Sequence, residues 1–213
     1  MIRNIIWDVD GTLFDTYPAI AEAFRLAVKD LGHDAPIERI TAAAKQSLGT
    51  CVSNLANEYG LDEDEIGDRF ERYYNQMRPE DQPPFPGVSK ICSTICAQGG
   101  RNLIITHRGN LGVNKLLAAH QMSELFSGQI TRDDGFAKKP NPAAFVAMLQ
   151  RYQLNTAETI TVGDRDIDIL AGQAAGIFSC FFGIDAGKCA PDFIFCKYDE
   201  VDTFLSSRNK KAN

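Results

Sequence analysis

The chain has 213 residues, 44% of them hydrophobic and 23% charged, with a formal net charge of −6. That apolar fraction supports a sizeable core and excludes global disorder, and the length allows one large domain or a core with a modest second one. The acidic balance argues against nucleic acid or an anionic membrane surface as a partner. No apolar run is long enough to span a bilayer, and the N-terminus shows no basic-then-apolar leader. The six cysteines, Cys51, Cys92, Cys96, Cys180, Cys189 and Cys196, form no Cys-x-x-Cys pair, which argues against a zinc or redox site. Cys92 and Cys96, four apart on one helical face, are expected as buried thiols, and together these point to a reducing cytoplasm.

In chain order, Ile2 to Trp7 is mostly apolar and β-branched or aromatic, as a strand covered on both faces should be. The run stops at Asp8-Val9-Asp10-Gly11-Thr12, so two carboxylates are delivered at a strand's carboxyl end, where open α/β sheets bind ligands. The period then changes. Ile20, Ala23, Phe24, Ala27, Val28 and Leu31 form a helical stripe, with Thr16 placed to cap it, Pro18 in its first turn and Gly32 at its end. Further helices are predicted from Ile37 to about Ser47, from Cys51 to Tyr59 and from near Asp62 through Met77. Residues 16–83 are thus expected to form an all-helical domain inserted into an α/β core made of residues 1–15 and 84–213. Such an insertion, leaving directly after the acidic loop, is suited to act as a lid. Lys45 and Ser47-Leu48-Gly49 are its candidate substrate-facing loop.

From Gly87 the chain alternates. Helices are predicted over Val88–Ala97, Gly109–His120, Pro142–Tyr152 and Asp166–Ala175. Strands are predicted over Asn102–Ile105, Ser127–Thr131, Thr159–Val162, Ile177–Phe182 and Phe193–Phe195. Strand and helix in turn imply a Rossmann-like parallel sheet. No Gly-x-Gly-x-x-Gly and no Walker lysine loop is present, so dinucleotide and nucleoside triphosphate sites of those types are not expected. The polar, basic stretch from Ser206 to Asn213 is expected to fray.

Three further stretches carry chemistry. Thr106, in Ile-Ile-Thr-His-Arg-Gly, ends a strand just before a helix, where a hydroxyl and free N–H groups can hold phosphate oxygens. His107 follows; its main-chain N–H can touch phosphate, or its ring can touch substrate and carry partial charge near neutral pH. Lys139 stands in Ala-Lys-Lys-Pro-Asn-Pro, stiffened by Pro140 and Pro142. Finally Thr161-Val162-Gly163-Asp164-Arg165-Asp166-Ile167-Asp168 ends another apolar strand in acids. Asp164 and Asp168 are one helical turn apart and can face one cleft, and hard oxygen ligands of this kind suit Mg²⁺.

Taken together and in this order, these four stretches resemble the signatures of the haloacid dehalogenase superfamily, in its phosphoglycolate phosphatase-like branch with a helical cap between the first and second motifs. The resemblance implies a Mg²⁺-dependent phosphatase acting on a small phosphorylated metabolite. It implies Asp8 as nucleophile and metal ligand, and Asp10 as general acid and base that also binds metal through its main-chain carbonyl. Thr106, His107 and Lys139 would hold substrate phosphate, Lys139 being chosen over Lys138 because the family's lysine directly precedes proline. Asp164 would complete the metal ligands, and Asp168 would brace Lys139 or the metal waters. Thr12 is expected to steady the loop. A carboxylate attacking a phosphate dianion needs countercharge: two like charges at 4 Å cost about 1 kcal/mol in water but about 4 kcal/mol at an effective dielectric of 20. Two alternatives stand beside this reading. A phosphosugar mutase of the β-phosphoglucomutase type tends to carry Glu-Asp where this chain has Gly163-Asp164. A catalytically idle binding protein has no need to keep Asp8, Asp10, Lys139 and Asp164 together.

Overall fold

The computed structural model describes residues 1–210. The chain divides into two compact units, one made of Met1–Phe14 and the chain from Pro84 onward, the other of Asp15–Pro83. It begins with strand β1 (Asn4–Trp7) and then forms four helices of the second unit, α1 (Tyr17–Asp30), α2 (Ile37–Gln46), α3 (Leu48–Tyr59) and α4 (Glu63–Tyr74). Their apolar stripes close a separate core around Ile20, Phe24, Ile40, Leu55, Ile66 and Phe70, with the Phe24 and Phe70 rings stacked 4.0 Å apart.

The first unit resumes with α5 (Val88–Ala97), β2 (Arg101–Ile105), α6 (Asn110–Ala119), β3 (Phe126–Ile130), α7 (Ala143–Arg151), β4 (Thr159–Gly163), α8 (Asp166–Ala174), β5 (Phe178–Phe182), β6 (Phe193–Phe195) and α9 (Tyr198–Lys210). The six strands form one parallel sheet in the order β3-β2-β1-β4-β5-β6. Alternate side chains point to opposite faces, as the two-residue period of a strand requires. Ile5, Trp7 and Ile104 join a core with α5, α6 and α9, whereas Ile6, Leu103 and Ile105 pack with α7 and Ala171 of α8. Both faces are covered, which is why Ile5, Ile6 and Trp7 of β1 run apolar without alternation.

This topology locates the chemistry. Strand order reverses at β1, whose neighbours are β2 on one side and β4 on the other. Trp7 lies level with Ile104 and Val162. The residues just beyond, Asp8, Thr106 and Asp164, therefore emerge at the same carboxyl edge, at the switch point where such sheets open a crevice.

Some expectations are corrected. α3 starts at Leu48 rather than Cys51, because the Ser47 hydroxyl accepts the Thr50 N–H at 2.9 Å. Ser47-Leu48-Gly49 is therefore a helix start, not a loop, and Lys45 lies within α2 with its ammonium 5.5 Å from the Tyr17 ring. Thr16 stands at the N-cap of α1, but its side chain makes no capping bond. α9 runs through Ser206 to Lys210, into the stretch expected to fray; residues 211–213 of that stretch lie outside the described residues. Among the described residues no helix is long and apolar enough to cross a membrane.

Beneath the sheet's site-bearing edge, buried Asn102 accepts from Trp7 Nε1 at 3.1 Å and donates to the carbonyls of Cys92 at 2.9 Å and Leu125 at 3.1 Å. Asn102→Leu leaves these groups unpaired, so chemical denaturation should show a loss of about 3 kcal/mol. A loss below about 1 kcal/mol would mean that the bonds contribute little net stability.

Candidate active site

The site is built around a buried lysine. Lys139 Nζ is 2.6 Å from Asp8 Oδ1, is ion-paired with Asp168 Oδ1, and donates to the Ile105 carbonyl at 3.1 Å. The side chains of Lys139, Asp8 and Asp168 are almost wholly enclosed. Burial pushes the Asp8 carboxyl up to about 6, opposed by the Lys139 ammonium and reinforced by Asp168. For Lys139, burial alone favours the neutral amine; Asp168 and Asp8 more than offset it and hold the ammonium above the usual lysine value. Two carboxylates share one cation here, so Asp8 is a poorly compensated charge in a dry place. That is the condition in which an additional cation would be stabilised.

The lysine is delivered by a loop, and the loop is pinned by a histidine. Lys139 N–H donates to His107 Nε2 at 2.9 Å, and the Lys139–Pro140 peptide is cis. A ring nitrogen that accepts a hydrogen bond cannot carry a proton. Burial first, and then the charges of Lys139 and Arg165, bring the His107 pKa down to about 4. The expectation of partial charge on His107 near neutral pH is therefore corrected: its ring is neutral and holds the lysine loop. Thr106 is buried at the end of β2 and its hydroxyl accepts the Arg108 N–H at 3.1 Å. The Asp10 side chain is gripped by Arg108, whose Nε lies 3.2 and 3.3 Å from the two carboxylate oxygens and whose Nη2 is ion-paired with Oδ1.

On the other side of β1, Asp164 Oδ1 accepts from the Thr12 hydroxyl at 3.1 Å, which ties the first acidic loop to the last. The Thr12 carbonyl is held in turn by the buried Tyr198 hydroxyl at 2.6 Å. Asp168 Oδ2 accepts the Arg165 N–H at 3.2 Å and so caps α8 while its other oxygen meets Lys139. Gly163 makes this possible. A Cβ there would lie 2.2 Å from Asp168 Cβ, so any side chain at 163 displaces Asp168 from the lysine.

The seven residues assigned chemistry from sequence, Asp8, Asp10, Thr106, His107, Lys139, Asp164 and Asp168, lie in the first unit, just beyond the ends of β1, β2 and β4, on the 139 loop and, for Asp168, in the first turn of α8. Sequence reasoning passes over Arg108, Arg165 and Tyr198. The charge of Arg165 acts on Asp8, Lys139 and His107. The residues fit a hard divalent cation. Asp8, Asp164 and Asp168 can each bring one carboxylate oxygen to within 4.8 Å of the others, and buried Asp8 Oδ2 has no hydrogen-bond partner.

Fold and site together define an α/β enzyme whose acids and lysine meet at the sheet's switch point. Residues 5–182 match the sequence pattern described as haloacid dehalogenase-like hydrolase, and the chain belongs to that family. It is 29% identical over 202 residues to the phosphoglycolate phosphatase of Aliivibrio fischeri, spanning 90% of this chain and 89% of that one. A predicted phosphoglycolate phosphatase from Haemophilus somnus has the same fold, with a TM-score of 0.82 at 23% identity over 96% of this chain and 98% of that one. So has a candidate β-phosphoglucomutase from Thermotoga maritima, with a TM-score of 0.81 at 17% identity over 97% and 99%. The two structural likenesses establish the fold alone. Family and sequence relatives make the chain a phosphatase-type hydrolase.

The neutral ring of His107 carries a pH signature. Its folded pKa lies below the unfolded value of about 6.5, so stability is fully present above pH 6.5 and is lost as pH falls toward 4. His107→Asn should flatten the fall in melting temperature between pH 6.5 and 4 relative to the parent. Parallel curves would contradict the neutral, accepting ring.

Proposed function

We propose that the chain is a Mg²⁺-dependent phosphatase that hydrolyses a small phosphomonoester through a phospho-aspartate on Asp8. The observation that carries this reading is the buried Lys139 ammonium, 2.6 Å from Asp8 Oδ1 and also paired with Asp168. An anionic nucleophile can approach an anionic phosphate only where countercharge is already fixed. Asp8, Asp164 and the main-chain carbonyl of Asp10 would hold Mg²⁺. When bound, the ion neutralises phosphoryl charge during in-line transfer.

The residues then have distinct roles. Asp8 attacks phosphorus while the ester P–O bond breaks, and the leaving oxygen takes a proton from Asp10. Asp10, now ionised, removes a proton from water, and the resulting hydroxide displaces phosphate from Asp8. Lys139 holds the phosphoryl oxygens, together with the Thr106 hydroxyl and the His107 N–H. Asp168 keeps Lys139 aimed, and the His107 ring fixes the lysine's loop. The helical unit is inserted directly after the loop that bears Asp8, and that position supports a substrate-selecting cap. Free cysteines support a reducing, cytoplasmic location, and the phosphoglycolate phosphatase relatives support a small phosphorylated metabolite as partner.

The mutase alternative is disfavoured by Gly163. A glutamate there would need the space that Asp168 occupies. An idle scaffold is disfavoured by the cost of burying Asp8, Lys139 and Asp168 together without a use for their charge.

A panel of phosphomonoesters, including phosphoglycolate and sugar phosphates, tests the reading with and without Mg²⁺. Phosphate release should require the metal, and Asp8→Asn should lower it by at least about 10³-fold with the fold intact. Mg²⁺ should raise the melting temperature of the parent and not of Asp8→Asn. Metal-independent turnover, or turnover retained in Asp8→Asn, would remove the mechanism. Exchange of sugar phosphate isomers without net phosphate release would favour the mutase.

A further inference from the structure

Arg108 is a partly buried cation to which the proposed mechanism gives no role. Only 11% of its side chain is exposed, and its guanidinium spans both oxygens of Asp10, at 3.2 and 3.3 Å from Nε, with Nη2 closing the fork. The fork is itself braced. Arg108 N–H donates to the Thr106 hydroxyl at 3.1 Å, and its carbonyl accepts the Arg132 N–H at 3.1 Å. Asp133 Oδ2 accepts the Asn110 N–H at 2.7 Å and fixes the start of α6 two residues on. The arginine stem runs across that helix over a glycine. A Cβ on Gly112 would lie 3.2 Å from Arg108 Cγ and 3.3 Å from Cδ. Strand end, following turn and helix thus all converge on the placement of one guanidinium.

We infer that Arg108 is the positioning residue for Asp10, holding its carboxyl group in the orientation in which, when protonated, it passes a proton to the leaving oxygen. This deepens the phosphatase reading and rests on it. A planar guanidinium meeting a carboxylate at two points fixes both its location and its plane, which a point-charge ammonium does not. Proton transfer needs the acid within hydrogen-bond reach of the oxygen, and a displacement of about 1 Å can cost about 100-fold.

The prediction concerns the leaving group. When the ester P–O bond breaks, its electron pair goes to the leaving oxygen. An alkoxide needs the Asp10 proton at that moment, whereas a nitrophenolate does not. Loss of Asp10 orientation should therefore slow alkyl phosphates far more than p-nitrophenyl phosphate. Loss of phosphate binding or of general integrity should slow both.

The test measures kcat and KM with Mg²⁺ for the best alkyl phosphate of the panel and for p-nitrophenyl phosphate. Arg108→Gln should lower kcat about 100-fold on the alkyl ester and no more than about fivefold on the aryl ester, with KM changing little. Arg108→Lys keeps the charge but not the fork, and should show the same selective loss. Gly112→Val keeps Arg108 but crowds its stem, and should lower the alkyl-to-aryl ratio in the same direction. Equal losses on both esters, or an alkyl-to-aryl ratio restored by Arg108→Lys, would overturn the positioning role. Asp8→Asn separates the two claims. Turnover in that variant would remove the phosphatase mechanism itself, whereas an inactive Asp8→Asn beside equal losses in the Arg108 variants would remove only the role of Arg108.

Discussion

One ammonium shared by two buried carboxylates is the constraint on which the rest of the site depends. Lys139 meets Asp8 and Asp168 where water is almost excluded. Removing such charges from water costs several kcal/mol per ion, and the mutual attraction repays this only when geometry is good and the remaining polar atoms are satisfied. The surrounding structure supplies that geometry. The parallel register brings the ends of β1 and β4 level, Gly163 leaves room for Asp168, and the Ile105 carbonyl and His107 ring fix the head and the backbone of the lysine. The cluster still carries one more negative than positive charge among these three side chains. Burial raises Asp8, with Asp168 adding to it against Lys139, and its second oxygen has no hydrogen-bond partner.

A second chain of contacts steadies the loop that presents Asp8. Tyr198, at the start of the last helix, reaches under the sheet to the Thr12 carbonyl, and Thr12 passes the restraint to Asp164. The phenol is packed against Trp7, Phe182 and Phe195. Helix α9 thus takes part in holding the loop after β1, beside that loop's own backbone bonds from the Gly11 N–H to the Phe14 carbonyl and from the Phe14 N–H to the Val9 carbonyl. Helix α9 carries this function although nothing in its own sequence resembles a catalytic motif.

The parts of this architecture that are legible in the sequence are those written in local pattern. The strand-then-acid stretches at Asp8 and Asp164 are readable because a buried strand that stops abruptly at carboxylates must be delivering them to a loop. Lys139 is readable from its prolines. The boundaries of α5 and β6 are as expected. What escapes reading depends on contacts between distant residues. Arg108 stands in plain view after Thr106 and His107, but its partner is 98 positions away. The charge state of His107 depends on burial and on the Lys139 N–H, and neither has a sequence signature. Helix α9 is different: buried Tyr198, Val201 and Leu205 fall at i, i+3 and i+7, a stripe that is present but outweighed by polar composition. Ser47 misleads because a serine before a helix and a serine in a loop look alike until its hydroxyl finds the Thr50 N–H.

The claim that Asp8 takes up the phosphoryl group is tested most directly by finding the group on it. The Mg²⁺-loaded protein, mixed with its best phosphomonoester and quenched in acid within the first turnover, can be digested and its peptides weighed. A single phosphoryl group on the peptide containing Asp8, lost on treatment with hydroxylamine as an acyl phosphate should be, is the expected result. An unmodified Asp8 peptide from protein that is turning over, or a phosphoryl group on another residue, would contradict it.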